Sequence, residues 1–182
     1  MSSPAQVLLR REGVDRTGRP YLIRPTSGDD AEALVALRDA VVAEGRWVPG
    51  APGERSPLEE RLALASLLGA GGLALCVEVD GVVAGQLSVA PLHGPQSHVG
   101  ELSIALAEAH RDRGLGAALL DVAVAWARAV RLRRLVLAVL DGNDRAIAAY
   151  TRAGFVREGV QRGQVSVGGE DRDLVLMGRL LR

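Results

Sequence analysis

Two arginines and two glycines crowd into His110-Arg111-Asp112-Arg113-Gly114-Leu115-Gly116-Ala117-Ala118-Leu119-Leu120. Before this stretch, Glu101-Leu102-Ser103-Ile104-Ala105-Leu106 alternates with period two, the pattern of a half-buried strand. After it, Leu115, Leu119, Val122 and Trp126 recur at spacings of three and four, the apolar stripe of a helix. A strand therefore feeds a helix through residues that lack a Cβ, where backbone amides can turn outward and approach a ligand closely. The bare amides and aligned dipoles of a helix N-terminus favour an anion by up to about 2 kcal/mol. Guanidinium groups at Arg111 and Arg113 are of the kind suited to phosphate. The chemistry open to these residues is a phosphate cradle.

A P-loop is excluded because it needs a lysine and the chain has none. The dinucleotide fingerprint needs a third glycine where Leu119 stands, and no acidic residue is placed to hold a ribose. Arg111-x-x-Gly114-x-Gly116 instead resembles the R/Q-x-x-G-x-G/A motif of the GNAT superfamily of N-acetyltransferases. Downstream, Asn143-Asp144-Arg145-Ala146-Ile147-Ala148-Ala149-Tyr150-Thr151-Arg152-Ala153-Gly154-Phe155 resembles the family's N-x-R-A-x-x-x-Y-x-x-x-G-F segment at every defined position. Asn143 is the only asparagine of the chain and Phe155 its only phenylalanine. The resemblance runs from about Tyr21 to Leu181.

That resemblance implies an α/β fold whose mixed central sheet is splayed between its two middle strands, with helices on both faces. It implies acetyl-CoA as co-substrate and no metal. Arg111, Asp112, Arg113, Gly114, Leu115, Gly116 and Ala117 would surround the pyrophosphate, and Ile104, Ala105 and Leu106 would line the coenzyme arm, with the Leu106 amide facing the thioester carbonyl. Asn143 and Arg145 would add coenzyme contacts, although Asn143 has a second reading as a plain helix cap. Glu108 stands where the family often has proline, and His110 where it often has an aromatic.

Moving an acetyl group from a thioester to an amine requires a neutral amine, a donor for the oxyanion and a proton for the departing sulfur. An amine of pKa ~10.4 is neutral in only ~0.04% of molecules at pH 7, an α-amino group of pKa ~7.7 in roughly one of six, so a base matters more for the first. Glu101 is the candidate base. It lies 13 residues before Gly114, an offset resembling that of the catalytic glutamate in the histone-type branch, and it shares a strand face with Ser103 and Ala105. Its other reading is a solvated glutamate at a strand rim. Tyr150 is the candidate acid, because thiol and phenol pKa values of ~8.5 and ~10 lie close together. Its other reading is helix packing. A small-molecule amine or free amino acid is the first acceptor expected and a protein N-terminus the second. A silent acyl-CoA sensor or partner-binding module is the reading from another class.

Capping, turn and periodicity signals predict the elements that position these groups. Residues 20–182 read as a single domain, and 1–19 as a tail or as one arm of a hairpin with Tyr21-Leu22-Ile23-Arg24. A first helix starts after Ser27-Gly28-Asp29-Asp30, carries Leu34, Leu37 and Val41 inward, and stops near Gly45. A second starts at Ser56, with Pro57 in its first turn and Glu59 completing a capping box. The loop between them holds Trp47, read either as a wall of the acceptor site or as a side chain tucked under its own loop. Leu73–Val79 and Val82–Ala90 form a hairpin through Asp80-Gly81. The apolar run Leu135–Leu140 suits a strand buried on both faces. A last strand pair, 156–167 and 172–180, turns at Gly168-Gly169.

Net charge is +0 and aromatic content 3%, so neither steering toward nucleic acid nor base stacking is favoured. The single cysteine, Cys76, lies in an apolar run and reads as core. His93 and His98 lack ligand spacing. No apolar run is long enough for a membrane span and Val7-Leu8-Leu9 is too short for a signal peptide, so the cytoplasm is the default compartment. Oligomeric state stays open, a homodimer included.

Overall fold

Two capping boxes start the chain's first two helical segments, the first on a 3-10 turn, Gly28–Asp30, that runs straight into the helix after it. Ser27 accepts from the Asp29 amide while the Asp30 carboxylate caps back onto Ser27, and Ser56 and Glu59 exchange the same pair of bonds around Pro57. They launch α1 (Ala31–Ala43) and α2 (Pro57–Gly69), as the spacing predicts. The computed structural model describes residues 9–181; residues 1–8 of the expected tail, with Val7 and Leu8, lie outside the described residues. The rest of the N-terminal stretch takes the hairpin reading, β1 (Arg11–Val14) pairing antiparallel with β2 (Pro20–Pro25).

The remaining elements are β3 (Leu73–Val79), β4 (Val82–Pro91), β5 (Val99–Leu106), α3 (Leu115–Ala129), β6 (Arg134–Leu140), α4 (Asp144–Arg152), β7 (Val156–Val167) and β8 (Glu170–Leu180). They build one eight-stranded mixed sheet in the order β1-β2-β3-β4-β5-β6-β8-β7. Asp80 and Gly81 both take positive φ, 53° and 77°, as a type I′ turn between β3 and β4 requires. Among the described residues no helix is long and apolar enough to cross a membrane.

Helices cover both faces. Leu73, Leu75, Val77 and Val79 of β3 join Leu87, Val89, Leu102 and the buried stripe of α3 in the main core, with Phe155 behind it. Ala74, facing the other way, packs with Leu34 of α1 and Leu64 of α2. Leu34, Leu37 and Val41 point inward as predicted. Cys76 is fully buried in the middle of β3, and desolvation pushes its thiol up to about 11, so it is a protonated core residue.

One strand departs from its expected environment. Leu135, Leu137 and Val139 of β6 sit in the main core, but Val136 is half-buried and Ala138 exposed. On the other face α1 and α2 make their main sheet contacts over β3, β4 and β5, so that face of β6 stays uncovered.

Among the described residues β5–β6 is the only parallel pair in the sheet, and it is short. Val99, Gly100 and Glu101 pair with Arg134, Leu135 and Val136, and there the pairing ends. From Leu102 to Leu106, β5 continues beside β4 alone while β6 continues beside β8. The sheet is split between its middle strands.

Gly85 keeps β4 close to the end of β5. A Cβ there would collide with Leu106 Cδ2 and come within 2.9 Å of the Ala105 carbonyl oxygen, which is backbone and cannot swing away. Gly85→Ala is expected to lower stability by about 1–3 kcal/mol, the usual cost of overpacking. Urea denaturation of both proteins measures it, and an unchanged midpoint contradicts the close approach.

Candidate active site

Gly114, at φ 89°, turns the chain from the loop into α3, and no side chain caps the helix. The first amide to join the helical ladder is that of Ala118, bonded to the Gly114 carbonyl at 3.1 Å. The amides of Leu115, Gly116 and Ala117 precede it and are the orphan donors of a helix start. A Cβ on Gly116 would press on Leu106 Cδ1, at 3.3 Å, so glycine lets the start of α3 sit close against the end of β5. This arrangement fits an anion such as a pyrophosphate.

The arginines of the motif divide their labour differently from the sequence reading. Arg111 does not turn its charge outward: its guanidinium makes a two-pronged ion pair with Glu44, at the end of α1, and its Nε donates to the Leu106 carbonyl at 2.9 Å. Both side chains are largely buried, at 9% and 15% exposed. A guanidinium at the base of a loop is drawn to a fixed carboxylate in a desolvated place, so Arg111 serves as scaffold. Arg113 lies 3.8 Å from the fully buried Asp15 of the β1–β2 turn. The hydroxyl of Thr17 holds the Asp15 carboxyl below its usual range. Arg16, one residue on, donates its amide to the Arg113 carbonyl and its guanidinium to the Asp112 carbonyl, and Arg16 Nε would lie 3.7 Å from a Cβ on Gly114. Arg16 thus brings charge to the cradle mouth from a hairpin that no motif marks. Arg145 of α4 bonds Asp112 at 3.3 Å and ties the second motif to the first.

Asn143 is the N-cap of α4, its Oδ1 accepting from the Ala146 amide at 3.3 Å. Tyr150 projects from the face of α4 that packs on the main core, edge-on to Phe155 with ring centroids 6.1 Å apart. Among the described residues its hydroxyl has no hydrogen-bond partner. Desolvation pushes the phenol up to about 12, which keeps it a proton donor throughout the neutral and mildly alkaline range. Glu101 is exposed on β5 and shares its face with Ser103 and Ala105, as alternation predicts, opposite the buried Leu102.

That same face of β4 and β5 floors a cavity of about 360 Å³ roofed by α1 and α2. Gln86, Ser88, Ser103 and Ala105 form its floor, and Arg38, Val41, Arg55 and Glu60 are among its walls. Ile104 and Ala105 reach it too, but Glu101 does not, nor does Trp47, whose neighbour Val48 takes the place expected of it. Arg55 bonds Glu60 at 2.9 Å. The sequence reading missed these charges, although a signal existed. Arg38 falls between Leu34 and Val41 on the inward stripe of α1, and Glu60 precedes Leu64 on that of α2, positions where a charge is anomalous. Among the described residues no three His, Cys, Asp or Glu side chains gather as a metal site.

A split mixed sheet, a glycine cradle at the end of β5 and a tyrosine-bearing helix after β6 define an acyl-transfer fold. Residues 37–155 match the model of the acetyltransferase (GNAT) family, and the chain belongs to that family. It is 26% identical over 154 residues, 84% of its length and 94% of the other's, to YwnH of Bacillus subtilis (strain 168), a protein provisionally named a phosphinothricin acetyltransferase. Among solved structures it superposes on a GNAT-family acetyltransferase from Streptococcus pneumoniae with TM-score 0.81 and 29% identity, covering 89% of this chain and 99% of that one. A ribosomal-protein-alanine N-acetyltransferase from Brucella melitensis gives TM-score 0.81 and 25% identity, covering 87% and 99%.

Glu44→Ala would leave the Arg111 guanidinium buried without its carboxylate. Removing one member of a buried pair costs about 3–5 kcal/mol. The melting temperature should therefore fall, and anion binding at the cradle should weaken because Arg111 holds the loop to Leu106. Thermal denaturation with and without coenzyme A checks both; a melting curve like that of the wild type would show that the pair bears no weight.

Proposed function

We propose that this chain transfers an acetyl group from acetyl-CoA to the primary amine of a small molecule. The observation that carries the proposal is the free edge of β5 between Leu102 and Leu106, opened where β6 departs and leading directly to the glycine cradle. An extended pantetheine-like arm fits such an edge, because unpaired strand amides and carbonyls take a chain that carries amides of its own.

In this reading the Leu115, Gly116 and Ala117 amides hold the pyrophosphate, with Asp112, Arg113 and Arg145 shaping the loop around it. Ile104, Ala105 and Leu106 hold the arm, and the Leu106 amide donates to the oxyanion. Asn143 caps α4 and faces the arm from the other side of the split. Tyr150 donates its proton to the departing sulfur. Its raised pKa widens the gap to a free thiol, but a thiolate released into the same apolar surroundings is desolvated as well, which narrows the gap again. Glu101 takes the amine proton through water; Glu60 is closer to the cavity but already engaged by Arg55. A protein N-terminus is the second acceptor class, favoured by the name of the Brucella melitensis structure. The cavity of about 360 Å³ under α1 and α2, partly open to solvent, is of a size that favours the small molecule.

Thiol release from acetyl-CoA with a mixed amine panel tests the activity, and Tyr150→Phe tests the acid. The variant should bind coenzyme A normally while turnover falls about 10²-fold or more. A phenol with pKa about 12 stays protonated below that value, so wild-type turnover should show no descending limb attributable to Tyr150 between pH 7 and 10. Intact turnover with a lowered melting temperature would make Tyr150 a packing residue. Glu101→Gln should slow turnover of a high-pKa amine at pH 7 and recover as pH rises, since solution then supplies the neutral nucleophile; a constant ratio to wild type across pH would remove Glu101 from the mechanism.

A further inference from the structure

Arg38 is the one cavity-lining residue with a buried nitrogen that lacks an acceptor. Its Nη1 is inaccessible to solvent and without a hydrogen-bond partner. The nearest carboxylate to that nitrogen is that of Asp39, at 3.8 Å and beyond hydrogen-bond range. Nη2 reaches Glu54 at 3.2 Å, but Glu54 is half exposed, on the loop between α1 and α2. Such a contact is screened by water and is easily exchanged. Buried polar groups are as a rule paired, so the Arg38 guanidinium is under-satisfied, and its end open to exchange is Nη2, whose carboxylate partner stands half in water.

The rest of the cavity narrows what group would take that carboxylate's place. Gln86, Ser88 and Ser103 are neutral donors and acceptors on the floor, and Val41, Leu64 and Leu67 are apolar walls. The only lining carboxylate, Glu60, is held by Arg55. A planar guanidinium with unused N–H groups matches a carboxylate, which can accept two parallel bonds. Arg38 stands on α1, while Ser103, Ile104 and Ala105 run toward the Leu106 end of β5. An acceptor with an anionic end on Arg38 would direct its other end along β5 toward the thioester.

We infer that the acceptor amine carries a carboxylate, and that Arg38 is the residue that selects it. This rests on the acetyl-transfer reading of the same site. A fixed carboxylate also gives direction: the amine is presented to the split edge of β5, and an amine without the anionic group enters the cavity without orientation.

The test compares free α-amino acids with their carboxamides, which keep the amine and the side chain and lose the negative charge. The amine of the carboxamide is the less basic, so the bias at neutral pH runs against the expected result. Wild-type kcat/KM for the best amino acid should exceed that for its carboxamide by about 10²-fold, the scale of truncating one partner of a buried charge pair. Arg38→Gln should bring the ratio close to one, chiefly by raising KM for the amino acid, with coenzyme A affinity within about twofold of wild type, and Arg38→Lys should restore part of the preference. Equal wild-type rates for acid and amide overturn the inference, as does an equal loss for both in Arg38→Gln. Titration of the coenzyme A complex with the same pairs reads the preference without turnover. Thiol release that is absent for every amine, with the carboxylate preference in binding retained, would sink the acetyl-transfer reading and keep the anionic ligand; absence of that preference in binding overturns the inference.

Discussion

The parallel pairing of β5 with β6 lasts for three residues and no more, and the site depends on that limit. While paired, the two strands hold the sheet together through Gly100, where a Cβ would press on Val89, Leu132 and Leu135. Once apart, each strand keeps its antiparallel neighbour, so the sheet stays continuous while β5 from Leu102 to Leu106 presents a backbone edge that no other strand pairs among the described residues. An edge of this kind is usually a liability. Here it opens onto the glycine loop at the start of α3, the geometry on which the proposed coenzyme site rests.

Holding the two sides of the split at a fixed separation falls to charges rather than to the core. Arg111 joins the end of α1 to the Leu106 carbonyl. Arg145 joins α4 to Asp112. Asp15 and Arg113 dock the β1–β2 turn beside the cradle. Of these, the Arg111–Glu44 pair is the largely buried one; such a pair contributes little net stability over a hydrophobic one of the same size, and its two-pronged geometry fixes where the loop sits. The four arginines of this region therefore divide: Arg111, Arg113 and Arg145 hold the loop and Arg16 stands over Gly114, a division that composition does not reveal.

On the opposite face, α1 and α2 pay for the cavity with charges on their inward stripes. Arg38 and Glu60 stand where apolar residues would close the gap between helices and sheet. In their place the protein keeps a polar floor of Ser88 paired across strands with Ser103, next to Gln86 and Ala105. Packing is given up where the cavity opens.

Much of this was determined by local sequence. The caps at Ser27 and Ser56, the Asp80-Gly81 turn, the alternation of Glu101 to Leu106 and the glycine loop each act within a few residues, so their outcome needs no knowledge of the rest of the chain. The two motifs carried the family for the same reason. Tertiary structure alone decided what depends on neighbours distant in sequence: that Arg111 faces Glu44, 67 residues away, that Arg16 comes to lie over Gly114, that Val136 and Ala138 lose their cover, and that Arg38 keeps a nitrogen unpaired. Period and spacing say which way a side chain points, whereas its partner is set by which strand ends up beside which, and a charge finds its partner only after the sheet has formed.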